Sequence, residues 1–96
     1  MKENLGIGEA VSCMRILGHR VARKGWNGKG MFIVFQPGYS IGVDDPSSIV
    51  VASRHTDGTV CKFCPYIMMK TVTGEFIPWL CSQADLLAED YVDLDG

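Results

Sequence analysis

Residues 31–36, Met-Phe-Ile-Val-Phe-Gln, set the strongest limit on the fold of this chain. They are rich in β-branched and aromatic side chains, and Pro37 and Gly38 follow at once. This composition predicts a strand that ends at a turn. Because the hydrophobicity is nearly continuous and does not alternate, we expect both faces of the strand to be covered, and a second subunit is one candidate for the second cover.

The remaining regular elements are one helix and several short strands. Apolar residues at helical spacing, followed by Gly18, predict an amphipathic helix over residues 8–17. Thr73 and Gly74 have the composition of a turn between two strands. The predicted strands are residues 21–23, 66–71 and 75–78, with the last two paired as a hairpin.

The middle and the end of the chain are less regular. Residues 38–59 predict a long excursion with one strand or turn at residues 49–52. Ser82 is expected to cap a helical turn over residues 83–87, and residues 91–92 to return as an edge strand. No repeat or linker divides the sequence. We therefore expect a single domain over residues 1–96, of the α+β class, with an N-terminal helix on a small, largely antiparallel sheet.

Length and charge restrict the ligands. A chain of 96 residues buries about 60 to 70% of its unfolded surface and has little room to enclose a dinucleotide-sized ligand alone. A pocket shared between subunits of an oligomer is therefore expected. The formal net charge of −2 argues against DNA or RNA polymers as partners. No leader or bilayer-length apolar run is evident, so we expect no membrane association and a cytoplasmic protein with free thiols.

The charged residues are segregated along the chain. Residues 10–43 contain several Lys and Arg but no Asp or Glu, whereas acidic residues alone follow Lys70. This distribution predicts a local anion site in the first part, or basic and acidic faces that meet across subunits. Solvated surface charge is the alternative, and for residues 93–96 it is the one we expect.

Residues 23–31 combine cations, an indole, an amide and glycines. Trp26 offers an aromatic face for a base, and Lys and Arg side chains suit phosphate oxygens. The alternative is a tight turn at Asn27-Gly28 with Trp26 in the core. The cationic candidates are Arg23, Lys24 and Lys29.

A second aromatic segment lies at residues 78–91, where Trp79 follows a proline. Core residue and stacking platform are equally supported for Trp79. If both indoles stack on a ligand, nearby polar groups would select its base and ribose hydroxyls. The candidates are Asn27, Ser82, Gln83 and Asp85, with Met31 as part of the apolar wall.

Other reactive residues give weaker signals. Cys61 and Cys64 have metal or redox spacing downstream of His55, but a single pair is more simply explained as incidental thiols, and Cys81 is expected in the core beside Trp79. No imidazole has a recognisable nucleophile beside it. The acidic residues Asp85, Glu89 and Asp90 fit general acid–base work no better than a solvated or capping cluster.

The two tryptophan segments together resemble the phage Thoeris anti-defence 2 family. The resemblance is carried by R-K-G-W-N-G-K-G-M-F at residues 23–32, P-Y-I-M-M-K at 65–70 and P-W-L-x-S-Q-x-D-x-L-A-E-D-Y at 78–91. These motifs stand in matching order behind an N-terminal amphipathic helix.

The resemblance implies a sponge that binds cyclic ADP-ribose-type signals made by TIR-domain immune enzymes and does not degrade them. It also implies a homotetramer with ligand pockets between protomers, acting without cofactor or metal in the cytoplasm of the infected bacterial host. Three alternatives stay open: capture of cyclic oligonucleotides, a phage interaction module that binds no small molecule, and an enzyme that hydrolyses the signal.

Overall fold

The computed structural model of the protein describes residues 2–41 and 61–96, except for the side chains of Asn27, Ile41 and Cys61. The chain divides into two compact units, one of Met1–Gln36 with Ile67–Gly96 and one of Pro37–Tyr66. In chain order the described elements are β1 (Lys2–Leu5), α1 (Ile7–Leu17), β2 (Val21–Arg23), α2 (Lys24–Asn27), β3 (Phe32–Gln36), β4 (Tyr39–Ile41), β5 (Cys61–Phe63), β6 (Tyr66–Lys70), β7 (Phe76–Pro78), α3 (Gln83–Leu87) and β8 (Tyr91–Asp93).

Six strands form the main sheet, in the order β1-β8-β2-β3-β6-β7. Every pair whose register is described is antiparallel: β1 with β8, β8 with β2, β2 with β3, and β6 with β7. The predicted α+β fold, with a largely antiparallel sheet and an N-terminal helix, is confirmed. The predicted hairpin is also present, since Lys70 pairs with Phe76 and the turn places Gly74 at φ 90°.

Helix α1 forms where the apolar spacing predicts it. Ala10, Cys13 and Met14 lie on its buried face, and Glu9 is in the first turn, where a negative charge is favourable. The helix ends because Gly18 adopts a left-handed conformation, with φ 69° and ψ 26°, and donates its N–H to the carbonyl of Met14 at 3.1 Å. A glycine takes this conformation without the steric cost of a Cβ.

The core of the first unit lies between α1 and the centre of the sheet. Met14, Val21, Ile33 and Tyr91 are almost completely buried. The Tyr91 hydroxyl donates a hydrogen bond to the carbonyl of Asp85 at 2.5 Å, so the polar end of this buried ring is satisfied. Trp26 and Trp79 are both half-buried and pack against the same core.

Three local predictions are wrong. Strand β8 is not at an edge: it lies between β1 and β2, and all three of its residues are buried. The reason is β1, whose polar sequence, Lys-Glu-Asn-Leu, gives no strand pattern. The segment around Trp26 is the short helix α2, not a tight turn with positive φ, since Gly28 has φ −66° and the left-handed residue is Gly30, with φ 70°. Cys81 is exposed and not in the core.

The second unit contains the antiparallel pair of β4 and β5. Tyr39 pairs with Phe63, and their rings stack with centroids 4.8 Å apart and an interplanar angle of 11°. The strand or turn predicted at residues 49–52 and the candidate ligand His55 lie outside the described residues.

Candidate ligand-binding site

The two tryptophan segments meet in the first unit. The ring centroids of Trp26 and Trp79 are 6.1 Å apart, with an interplanar angle of 81°. Trp26 lies on α2, and Trp79 is held just after β7 by a hydrogen bond from its N–H to the carbonyl of Ile67 at 2.9 Å. Because the rings meet edge to face, they cannot sandwich one base between them. Each indole is half-buried, so it combines a core contact with a partly exposed ring.

Arg23 joins the same two segments through ion pairs. Its Nη1 contacts Asp85 Oδ1 at 2.9 Å, and its Nε contacts Asp90 Oδ1 at 2.9 Å. A longer bond of 3.4 Å runs from Nη2 to Asp90 Oδ2. Arg23 ends β2 directly before α2, whereas Asp85 is in α3 and Asp90 precedes β8. The guanidinium therefore fixes the start of the Trp26 segment against the segment that follows Trp79.

Ser82 and Asp85 form a reciprocal cap at the start of α3. Ser82 Oγ accepts a hydrogen bond from the Asp85 N–H at 3.0 Å, and Asp85 Oδ2 accepts from the Ser82 N–H at 3.1 Å and from Ser82 Oγ at 2.9 Å. The predicted capping role of Ser82 is confirmed. The cap satisfies backbone donors that a helix otherwise leaves free, and it occupies the side chains of two candidate ligand contacts.

The pKa of Asp85 reflects these contacts. Partial burial acts to raise the pKa of this carboxyl, but the hydrogen bonds from Ser82 and the Arg23 guanidinium outweigh burial and lower the pKa below its ordinary value. The pKa of Arg23 is raised by its hydrogen bonds to Asp90 and then Asp85. The ion pair of Arg23 and Asp85 is therefore ionised on both sides at neutral pH.

The other predicted site residues have different surroundings. Lys24 Nζ donates to Asn4 Oδ1 at 2.5 Å, while Lys29 and Gln83 are exposed and have no side-chain hydrogen bond within the described part of the chain. Met31 is half-buried just before β3. The backbone of Asn27 ends α2, and its side chain lies outside the described structure. The structure thus joins Arg23, Ser82 and Asp85 by direct contacts, and Trp26 with Trp79.

Within one chain, basic residues of the first part pair with acidic residues that follow Lys70. His19 Nδ1 lies 2.8 Å from Asp93 Oδ2, and Arg20 Nη2 lies 2.7 Å from Asp95 Oδ1. Asp93 is only 1% exposed. The expectation that residues 93–96 carry solvated charge is therefore wrong for Asp93. Asp93 is buried because β8 lies inside the sheet. A carboxylate in that position needs a hydrogen-bond donor, and His19 supplies one.

Comparison with known protein families gives a match that includes both tryptophan segments. The family model described as the Thoeris anti-defense 2-like domain matches residues 5–92. This match covers α1, both tryptophans and the Arg23 cluster. The chain belongs to this family. The Thoeris anti-defense 2-like match ends within β8, so all the candidate site residues fall inside it.

A curated member of the Thoeris anti-defense 2 group gives a second line of comparison. The chain is 32% identical over 91 residues to "Thoeris anti-defense 2" of Bacillus phage SP01, covering 95% of this chain and 96% of that protein. Family membership supports a role in phage anti-defence. None of the helices in residues 2–41 and 61–96 is long and apolar enough to span a membrane.

Sequence reasoning missed one member of the site. Asp90 was considered only as part of an acidic cluster, yet it binds Arg23 through its side chain and accepts the Lys24 N–H with its carbonyl at 3.1 Å. The segregation of basic and acidic residues was the available signal, although it does not identify which residues pair. The Cys61–Cys64 pair, interpreted above as incidental thiols, lies partly outside the described structure, which does not include the side chain of Cys61. Among the described residues, no group of His, Cys, Asp and Glu is arranged to hold a metal.

Proposed function

We propose that this protein is an anti-defence sponge, which binds cyclic ADP-ribose-type signals made by TIR-domain immune enzymes and holds them without degrading them. The observation that supports this most is the meeting of Trp26 and Trp79, 6.1 Å apart, within the segments matched by the Thoeris anti-defense 2-like family. Aromatic side chains stack on any base, and each such contact contributes about 1–3 kcal/mol in nucleic-acid sites. Sequestration of this kind needs only tight binding and slow release.

The lysines near Trp26 in the sequence suit a diphosphate. Lys24 bonds to the neutral side chain of Asn4 and not to a carboxylate, and Lys29 is exposed. Within residues 2–41 and 61–96, neither ammonium group forms an ion pair with a carboxylate, so both positive charges are open to a phosphate. Asn27, Ser82, Gln83 and Asp85 would contact the base and ribose, and Met31 would contribute apolar surface.

A pocket between protomers of a homotetramer is part of the proposal. The edge-to-face indoles leave a base stacked on one ring only, so a second subunit would supply the opposite wall. Leu80 is 88% exposed and Leu87 is 75% exposed, and both lie in the segment that follows Trp79. A second subunit that covers this segment would bury both side chains in one apolar patch, as is typical of an interface.

The same exposed leucines favour a second candidate, a phage interaction module that binds another protein and no small molecule. Cyclic oligonucleotides remain an alternative ligand class, since they share stacking bases and phosphates with the first. A capture-and-release assay separates these functions. Purified protein is incubated with cyclic ADP-ribose isomers or cyclic dinucleotides, free ligand is measured, and the measurement is repeated after heat denaturation.

Ligand that disappears and returns intact on heating supports a sponge and names its signal. Ligand that returns as fragments indicates an enzyme, and ligand that never disappears leaves the interaction module. The matched variants are Trp26→Ala, Trp26→Phe and Phe76→Ala, the last an exposed ring elsewhere on the sheet. We expect Trp26→Ala to abolish capture, Trp26→Phe to retain most of it, and Phe76→Ala to leave it unchanged. Loss of the folded oligomer in Trp26→Ala, seen by circular dichroism and size exclusion, would assign Trp26 to the core.

A further inference from the structure

We propose that Asp90 is a specificity-determining residue of this site, which accepts hydrogen bonds from the hydroxyl groups of the ligand, and that Arg23 is the residue that positions it. The inference rests on the proposed function and deepens it. It assigns Arg23 a structural role in place of the phosphate contact that its charge first suggests.

The charge balance around Arg23 excludes a phosphate there. One guanidinium is bound to two carboxylates, Asp85 and Asp90, each with a contact of 2.9 Å. The group as a whole therefore carries one negative charge, and an approaching phosphate would be repelled by both carboxylates. A ligand group that donates hydrogen bonds is instead attracted to such a cluster, and ribose hydroxyls are donors of this kind.

The two carboxylates differ in how much capacity they keep for a ligand. Asp85 uses Oδ1 for Arg23 and Oδ2 for two bonds from Ser82, and its side chain is only 14% exposed. The side chain of Asp90 is 37% exposed, and Arg23 is the only hydrogen-bonding side chain on it in the described structure. Among the described residues, its Oδ2 has one long contact, of 3.4 Å, which leaves lone pairs for a further donor.

The position of Asp90 is fixed on two sides. Its carbonyl accepts the N–H of Lys24 at 3.1 Å, and its carboxylate is held by the Nε and Nη2 of Arg23. These two partners, Arg23 and Lys24, lie three and two residues before Trp26 in the chain. A carboxylate held in one orientation binds a hydroxyl with less loss of side-chain entropy than a mobile one.

The test compares Asp90→Asn with Glu89→Gln, which removes the charge of the exposed neighbouring carboxylate. The probes are the cyclic ADP-ribose isomer that the wild-type chain binds and its 2′-deoxy analogues, measured by titration calorimetry. We expect at least one deoxy analogue to bind the wild type about tenfold or more weakly than the parent, because a hydrogen bond to a charged group is lost. Asp90→Asn should weaken parent binding and reduce that difference, while Glu89→Gln should change neither.

The positioning role of Arg23 is tested with Arg23→Lys, which keeps the charge but cannot hold both carboxylates in a planar fork. We expect this variant to lose discrimination between the parent and the deoxy analogue. Full affinity and full discrimination in Arg23→Lys would show a simple charge contact and overturn the positioning role.

The outcomes separate this inference from the proposed function. If the wild type binds the cyclic signal but Asp90→Asn matches Glu89→Gln in discrimination, the role of Asp90 is wrong and the sponge stands. If the wild type binds no cyclic ADP-ribose isomer, both are wrong. Circular dichroism of each variant at the assay temperature excludes unfolding as the cause of weaker binding.

Discussion

Replacing His19 with leucine should destabilise the fold measurably. Asp93 is 1% exposed, and its Oδ2 lies 2.8 Å from His19 Nδ1. A second donor, the N–H of Asp95, contacts Oδ1 at 3.1 Å. Leucine removes the imidazole donor and keeps an apolar side chain of similar size, so the buried carboxylate loses one of its partners.

The magnitude follows from the type of bond. A hydrogen bond to a charged acceptor contributes about 1.5–3 kcal/mol. Because the His19 side chain is 25% exposed, water can replace part of the interaction, and we expect a loss near the lower end, about 1.5 kcal/mol. For a chain of this size, that loss lowers the Tm by roughly 6–12 °C.

The assay is thermal and urea unfolding followed by far-ultraviolet circular dichroism. The matched control is Arg20→Gln, which breaks the neighbouring ion pair with Asp95, where both side chains are considerably exposed, at 49% and 33%. Exposed ion pairs contribute little, so this variant should shift the Tm much less. A double-mutant cycle with Asp93→Asn isolates the coupling between the two side chains. A His19→Leu variant as stable as Arg20→Gln, or a coupling of zero, would refute the argument.

Two further predictions concern acid and the cap of α3. Burial acts to raise the pKa of Asp93, but hydrogen bonds from His19 and the Asp95 N–H lower it overall, and Arg20 lowers the pKa of Asp95 to about 2. Both carboxyls bind protons more weakly in the folded state, so they stabilise the fold above the unfolded pKa of about 3.9, and this stabilisation is lost as the pH falls towards 2. The loss is measured as a falling urea midpoint at pH 7, 4 and 2.5. Constant midpoints would contradict the prediction. Ser82→Ala removes a side-chain cap and should cost about 1 kcal/mol, detected as a lower Tm, whereas an unchanged Tm would mean that the cap contributes nothing.

The elements that sequence predicts well are those defined by local pattern. Helix α1 follows from apolar spacing and from Gly18, strand β3 from its hydrophobic run, and the β6–β7 hairpin from the turn at residues 73–74. The Ser82 cap is equally local, since its partner is three residues away. Each of these depends on side chains within a few positions of one another, so the pattern is visible in the chain itself.

What sequence could not supply are the contacts between distant residues. Arg23 and Asp90 are 67 positions apart, and His19 and Asp93 are 74 apart. The segregation of charge indicated that opposite signs would meet, but not which pairs form or that they form within one chain. The buried position of β8 likewise depends on β1, a strand that only tertiary pairing reveals.

Strand β8 lies between β1 and β2 although it follows every other described element in the chain. During synthesis, β1 and α1 emerge before the other described elements, yet among these elements the only strand that pairs with β1 is β8, at residues 91–93. Loop closure over so long a separation is slow compared with forming a hairpin. The bonds of Arg23 to Asp85 and Asp90 likewise cannot form before residues 85–90 have been made. The contacts on which the proposed site depends are therefore completed only after residues 85–93 have been added to the growing chain.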